Sequence, residues 1–332
     1  MFTLGNFSKT IICFLAILFV SQFAVSTQAS GDYPNRPIQL IVGWTAGASE
    51  DLRFRALATK MEEVLGQPVI VVNKPGAAAV VSMSLIAKAK PDGYTIGNAN
   101  SGAIVFVPQM QKVEYNPLTD FTFIAGTCNQ PFALVVRSDA PWKTLGELID
   151  YIKKNPGKVK FGTYGTGGGL HVYLEVLGKK LGLDWSHIPF KGDQPNITAL
   201  LGGHVPVIGA SSAFIPHARA GKLRPLAIAG DNRVRAFPDI PTLKECGFDF
   251  DFRWTEGLGF SGPKGLPPEI VAKLENVIKQ AVESPAFKQV MEQLENEAKY
   301  RDSWTFTQLF HELYPRVGKM IEQAGMLYQP GK

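Results

Sequence analysis

Between Tyr33 and Thr95 the chain changes its apolar period from two to 3.6 and back, and few folds accommodate that rhythm. Ile38 to Val42 is a short β-branched run. The small-residue segment Trp44-Thr45-Ala46-Gly47-Ala48-Ser49-Glu50-Asp51 follows, then an amphipathic stretch from Leu52 to Leu65. Val69 to Val72 and Tyr94 to Gly97 are the next strand candidates, the latter entered through the turn Pro91-Asp92-Gly93. Strand, loop, helix, strand in this order implies a parallel sheet with helices on both faces. The rhythm returns later, with strands expected at Phe132 to Arg137, Val159 to Gly162, Val205 to Ile208 and Leu226 to Ala229. A helix is expected from Leu145 to Lys154, opened by Thr144 and by Glu147 three residues on, a capping-box pattern.

The alternation breaks twice. Phe121 to Thr127 and Phe132 to Arg137 are consecutive strand-like runs with no helix between them. Phe252 to Phe260 is a second aromatic, strand-like stretch, ended by Ser261-Gly262-Pro263. Both read as crossings between two α/β lobes. Residues 30–128 plus 256–332 then form lobe 1, and residues 129–255 form lobe 2. The C-terminal part reads as helices at Pro267 to Glu283, Pro285 to Ala298 and Thr307 to Gly325, the last kinked at Pro315. It is expected to pack back on lobe 1.

Residues 1–29 have the order of a secretory signal: Lys9, a short apolar core from Ile11 to Val20, and the small-residue site Thr27-Gln28-Ala29 before Ser30. The core is short for a bilayer span. Cys13 lies inside it rather than after it, which argues against a lipoprotein. Cleavage after Ala29 removes Lys9 and lowers the net charge of +5 by one. That mild excess suits small anions. No dense basic run interleaved with aromatics points to nucleic acid. After processing, Cys128 and Cys246 remain, either paired or as free thiols.

The mature chain resembles a known family, the Bug solute receptors of tripartite tricarboxylate transporters. Tyr33-Pro34-Asn35-Arg36-Pro37-Ile38, Gly66-Gln67-Pro68-Val69, Asn73-Lys74-Pro75-Gly76-Ala77 and Pro91-Asp92-Gly93-Tyr94-Thr95 carry the likeness, in that order. The resemblance implies an α/β fold of the type II periplasmic binding protein class, with a ligand cleft between two lobes. It implies a periplasmic receptor that captures a small organic carboxylate and delivers it to membrane permease subunits, with no cofactor and acting as a monomer. The family's first ligand loop usually reads Phe-x-Pro-Gly-Gly-x-x-Asp. Here the aromatic, one Gly and the Asp stand as Trp44, Gly47 and Asp51, whereas Thr45, Ala46 and Ala48 depart from it. The family's acidic residue on the Val205 strand is replaced by Pro206.

Four loops are expected to ring the ligand. The first runs from Trp44 through Thr45, Ala46, Gly47, Ala48 and Ser49. Asp51 belongs either to the helix N-terminus, where it suits the dipole, or to a ligand ammonium. Glu50 is expected to turn to solvent. The second loop supplies Asn100, Ser101 and Gly102. The third holds Thr163, Tyr164, Thr166, Gly167, Gly168, Gly169 and His171, with the three glycines at positive φ. The fourth supplies Ser211 and Ser212. Loops at helix starts offer backbone N–H groups to an anion, and short hydroxyl and amide side chains add to them. Each also reads as a plain helix cap. Phe190-Lys191-Gly192 matches the family's Tyr-Lys-Gly, with Lys191 either near an anion or solvated.

Other chemistries lack their residues. Leu170 stands where a dinucleotide fingerprint needs its third Gly, and no Gly-Lys pair is followed by Ser or Thr. His311-Glu312 is not completed by a second His, because position 315 is Pro. His171, His187, His204 and His217 lack the spacing of metal ligands. The reading is therefore binding, not catalysis. A receptor feeding a two-component sensor and an exported hydrolase using His171 are the alternatives.

Overall fold

The computed structural model describes residues 33–329 apart from Asp231 and Phe250. The signal segment and its cleavage site lie outside the described residues.

From Arg36 onward the described residues form one unit built on two sheets. In the first, β1 (Ile38–Val42) pairs in parallel with β2 (Val69–Asn73) and with β3 (Thr95–Asn100). The other half is antiparallel. β4 (Phe121–Asn129) lies on the far side of β10 (Leu258–Pro263), which joins it to β3, and β11 (Glu297–Arg301) forms the edge beyond β4. In the second sheet β6 (Val159–Thr163) is parallel to β7 (Trp185–Pro189) and to β8 (Val207–Ser211). β5 (Phe132–Arg137) runs antiparallel between β8 and β9 (Leu223–Ala229).

Local sequence explains the helices that matter for the site. α1 (Ser49–Leu65) ends on Gly66, whose φ of 66° lets its N–H return to Glu62 O. α2 (Val80–Ala87) follows β2 through a short turn. α3 (Leu145–Lys154) starts where Thr144 Oγ1 accepts from Glu147 N at 3.2 Å, and Lys143 N donates to the Glu147 carboxylate at 2.6 Å. Its buried Leu145, Leu148, Ile149 and Ile152 keep the spacing of one helix face. α4 (Gly169–Leu181) and α5 (Asp193–Leu201) follow β6 and β7. The C-terminal helices are α6 (Pro268–Glu283), α7 (Pro285–Gln293) and α8 (Ser303–Gln323). α8 runs through Pro315 as one helix and returns to the first sheet, where Phe310 meets Phe123 of β4 with ring centres 4.6 Å apart.

Three elements differ from expectation. The aromatic run at Phe252 is not a strand. Phe252–Glu256 is a 3₁₀ turn, and the strand begins only at Leu258. Its rings serve packing instead, since Phe252 and Trp254 both stack on Tyr173. The helix at Pro285 stops at Gln293. Glu295 adopts φ 54°, the chain reverses, and Glu297–Arg301 pairs with β4. The strand expected from Val205 is displaced to Val207–Ser211, beyond Pro206, which has no N–H for the ladder.

The chain passes between the sheets at Gln130-Pro131 and again through the 252–257 turn. The two passages are tied together, because Gln130 N donates to Thr255 O at 3.2 Å.

Candidate functional site

The loops that leave the carboxyl ends of the parallel strands face a single cleft, the usual ligand position in open α/β sheets. The first sheet and its loops contribute Trp44, Glu50, Ala78, Asn100, Ser101 and Gly102 to its wall. The second contributes Tyr164, Gly168, Gly169, Asp193, Ser211 and Phe132. The remaining wall comes from Gln130 at one passage and from Trp254, Thr255 and Leu258 at the other. Of the residues singled out in the sequence, Trp44, Asn100, Ser101, Gly102, Tyr164, Gly168, Gly169 and Ser211 are thus brought together.

Others support the wall without forming it. Thr45, Ala46 and Gly47 are exposed on the outer side of the first loop, and Ala48 and Ser49 are half-buried at the start of α1. Asp51 is 2% exposed and acts as the clamp of that loop. It accepts from Gly47 N at 2.8 Å, from Arg55 Nε at 2.9 Å and from Asn73 Nδ2 at 2.8 Å. Burial alone would raise its pKa, but the bonds from Arg55, Gly47 and Asn73 outweigh that and hold the carboxyl below its ordinary value. Asn73 Nδ2 also reaches Trp44 O at 2.9 Å, so one amide ties the loop to β2.

The second loop is anchored to a passage between the sheets. Ser101 Oγ donates to Trp254 O at 2.8 Å, Ser101 N donates to Gly257 O at 2.9 Å, and Asn100 Oδ1 caps Ala103 N at 2.9 Å.

In the glycine loop the reasons for glycine differ by position. Only Gly165 and Gly167 have positive φ, at 158° and 82°. Gly168, at φ −71°, is held to glycine by crowding instead: a Cβ there would sit 2.8 Å from the Tyr164 ring. One at Gly169 would sit 2.7 Å from the Trp254 ring. Thr163 is buried, with its Oγ1 2.9 Å from Gly165 O and 2.7 Å from His187 Nε2. Thr166 is exposed. His171 is 6% exposed and lies outside the cleft wall; its Nδ1 accepts from Gly167 N at 3.1 Å. It is not isolated from the other histidines, because its ring stacks on His187 at 3.8 Å between centres. Burial lowers its pKa to about 4, and burial together with His171 lowers that of His187 to about 3. Both rings are therefore neutral at pH 7. Among the described residues no group of three His, Cys, Asp or Glu side chains could hold a metal ion.

In the fourth loop Ser211 donates to Asp193 through Oγ at 2.6 Å and through N at 3.2 Å, while Ser212 is buried behind it. Lys191 is exposed. Cys128 and Cys246 are both free thiols.

Two acids in the wall were not expected there. Glu50 does not turn to solvent. It lines the cleft and pairs with Arg53 Nη2 at 2.8 Å, where Arg53 is 3% exposed. Asp193 opens α5 from the opposite lobe. Burial, with Glu50 adding to it, pushes its carboxyl up to about 6 against the pull of the Ser211 bonds. Ala78 reaches the wall through three consecutive alanines, Ala77 to Ala79, at φ 47°, 52° and 72°. That conformation costs alanine roughly 1–2 kcal/mol per residue. A signal for Asp193 was present, since an acid at the first position of a helix after Gly192 faces the strand ends, but its partner in the other lobe was not readable.

The receptor model described as "Tripartite tricarboxylate transporter family receptor" matches residues 53–326. This chain belongs to that family. It is 38% identical over 304 residues to the UPF0065 protein in the gbd 5' region of Cupriavidus necator, covering 91% of this chain and 92% of the relative. The periplasmic binding protein BugD is 30% identical, with a TM-score of 0.77 over 90% of this chain and 100% of its own. A protein of R. palustris solved with adipate is 25% identical, with a TM-score of 0.78, covering 89% of this chain and 99% of that one. MatC from Rhodopseudomonas palustris, solved with bound malate, is 26% identical, with a TM-score of 0.76 over 87% and 100%. The family is one of solute receptors of periplasmic binding protein fold.

Proposed function

We propose that this receptor captures a small organic carboxylate in the cleft and hands it to the permease subunits of a tripartite transporter. Residues 1–29 direct export and are removed, and the mature receptor works in the periplasm as a monomer, by binding rather than by catalysis. Lobe 1 comprises residues 30–128 plus 256–332, and lobe 2 comprises residues 129–255. The observation that carries this reading is the cleft itself. It collects loop residues from both sheets at the strand ends, in a chain whose solved relatives hold adipate and malate. Trp44, Asn100, Ser101, Gly102, Tyr164, Gly168, Gly169 and Ser211 are the proposed ligand contacts. Thr45 to Ser49, Asp51, Thr163, Thr166, Gly167, His171 and Ser212 shape the loops around them.

A thermal-shift screen of mono-, di- and tricarboxylates, aromatic acids, amino acids and sugars tests the reading. Carboxylates should raise Tm, and the rise should grow with ligand concentration as mass action requires. The stabilising compound should be recovered unchanged after long incubation. Stabilisation by sugars alone, or conversion of the ligand, would refute it.

A further inference from the structure

We infer that the ligand is a small carboxylic acid that also carries a positively charged nitrogen, seated against Asp193 and Glu50 among the aromatic rings of the cleft. This rests on the reading of the cleft as a carboxylate receptor and narrows its ligand class.

Among the described residues the wall contains two acids and no lysine, arginine or histidine. Glu50 is compensated by Arg53 at 2.8 Å. Asp193 has no basic partner among the described residues; its two oxygens accept only from Ser211. The cleft thus holds one uncompensated negative charge on lobe 2, facing Glu50 on lobe 1. Burial raises the Asp193 carboxyl to about 6, and Glu50 adds to that in the same direction. A dianionic ligand would bring a further negative charge into this space, and like charges in a partly desolvated site repel strongly. A cationic nitrogen reverses the sign of that interaction.

The rest of the wall fits the same chemistry. Trp44, Phe132, Tyr164 and Trp254 line the cleft, and cations are attracted to aromatic faces. Phe132 packs against Trp254 with ring centres 4.6 Å apart and against Tyr164 at 6.0 Å, so the rings form a continuous surface. A donor for the acid end is also present. Trp254 is 4% exposed, and its indole N–H has no hydrogen-bond partner. A buried donor left unpaired costs free energy that a ligand carboxylate at that N–H would recover. Acidic walls, aromatic faces and an unpaired N–H together describe a site for a zwitterion.

The test is calorimetric titration of the full mature chain with length-matched probes: 4-aminobutyrate beside succinate, 5-aminovalerate beside glutarate and 6-aminohexanoate beside adipate, with butylamine as the amine that lacks a carboxyl group. At least one zwitterion should bind tenfold or more tightly than the dianion of matching length. Asp193→Asn should weaken zwitterion binding tenfold or more and strengthen dianion binding. Should Asp193→Asn fold poorly, Asp193→Ser carries the same comparison. Dianions that bind best, with zwitterions indifferent to the variant, would overturn the proposal and leave the carboxylate receptor standing. Amines without a carboxyl group that bind as well as the zwitterions would overturn both. Failure of every zwitterion on the panel to bind would overturn the proposal.

Discussion

His171 and His187 stack 3.8 Å apart beneath the glycine loop, and each holds one of its contacts: Gly167 N donates to His171 Nδ1, and a hydrogen bond joins Thr163 Oγ1 and His187 Nε2. Glu175 lies nearest, 3.8 Å from His171 Nε2, and burial raises its own pKa. In the unfolded chain both imidazoles take up protons near pH 6.5. In the fold they resist until about 4 and about 3. Between these limits the unfolded state binds more protons, so stability falls as the pH is lowered. The contribution is intact above pH 6.5 and is lost progressively as the pH falls toward 4 and then 3. A shift of this size corresponds to a few kcal/mol, at about 1.4 kcal/mol per unit. His187→Gln should therefore show a shallower loss of stability than the wild type between pH 6.5 and 4.5, measured by urea midpoints. Parallel pH curves for the two proteins would contradict this account. Nothing in the sequence pairs positions 171 and 187. The pair exists because β6 lies beside β7 in the sheet, with Phe161 opposite His187 and Phe161 itself 5.2 Å from that ring.

At the scale of elements, the strand–loop–helix unit β6–α4 shows what sequence can and cannot reveal. That glycines join a strand to a helix there is legible from composition. Which glycine is needed for which reason is not, because the crowding neighbours come from elsewhere in the chain. Trp254, 85 residues beyond Gly169, leaves no room for a methyl group, and it is itself packed on Phe132, Tyr173 and Phe106. Gly169→Ala should consequently cost about 1–3 kcal/mol through overpacking. It should also change the near-UV circular dichroism of the tryptophans. A midpoint equal to that of the wild type would show that Trp254 can move aside. α3 is the opposite case. Its cap, its apolar face and its basic last turn are all local, so Leu145 to Lys154 is readable residue by residue. The Phe252 run misleads for a related reason: aromatic, β-prone residues are placed there for packing between the sheets, and pattern alone does not separate that use from a strand. Four loops at strand ends are readable as candidates. That Glu50 and Asp193 share one cleft is not, since a charge beside an expected anion site acquires meaning only once the opposite wall is known.

On the scale of the whole molecule, the cleft is an arrangement of two sheets joined by two short passages. Gln130-Pro131 and the 252–257 turn are bonded to each other through Gln130 N and Thr255 O, and Ser101 holds the second passage to the loop after β3. Motion about such a pair requires φ and ψ changes at only a few residues, the usual form of a hinge. The proposed ligand surfaces lie on either side of it, with Trp44, Glu50 and Asn100 on one side and Tyr164, Asp193 and Ser211 on the other. A ligand that touches both sides binds the closed form better than the open one, and its differential affinity moves the population toward closure. Saturating ligand should therefore lower the radius of gyration measured by small-angle scattering. Asp193→Asn should require more of a zwitterionic ligand to reach the same compaction, because the variant removes an attraction on one side of the hinge and leaves the passages intact. A free protein that is already as compact as the complex would mean that the cleft is preformed. An open protein whose radius stays constant while calorimetry reports saturation would contradict closure as the mechanism of capture.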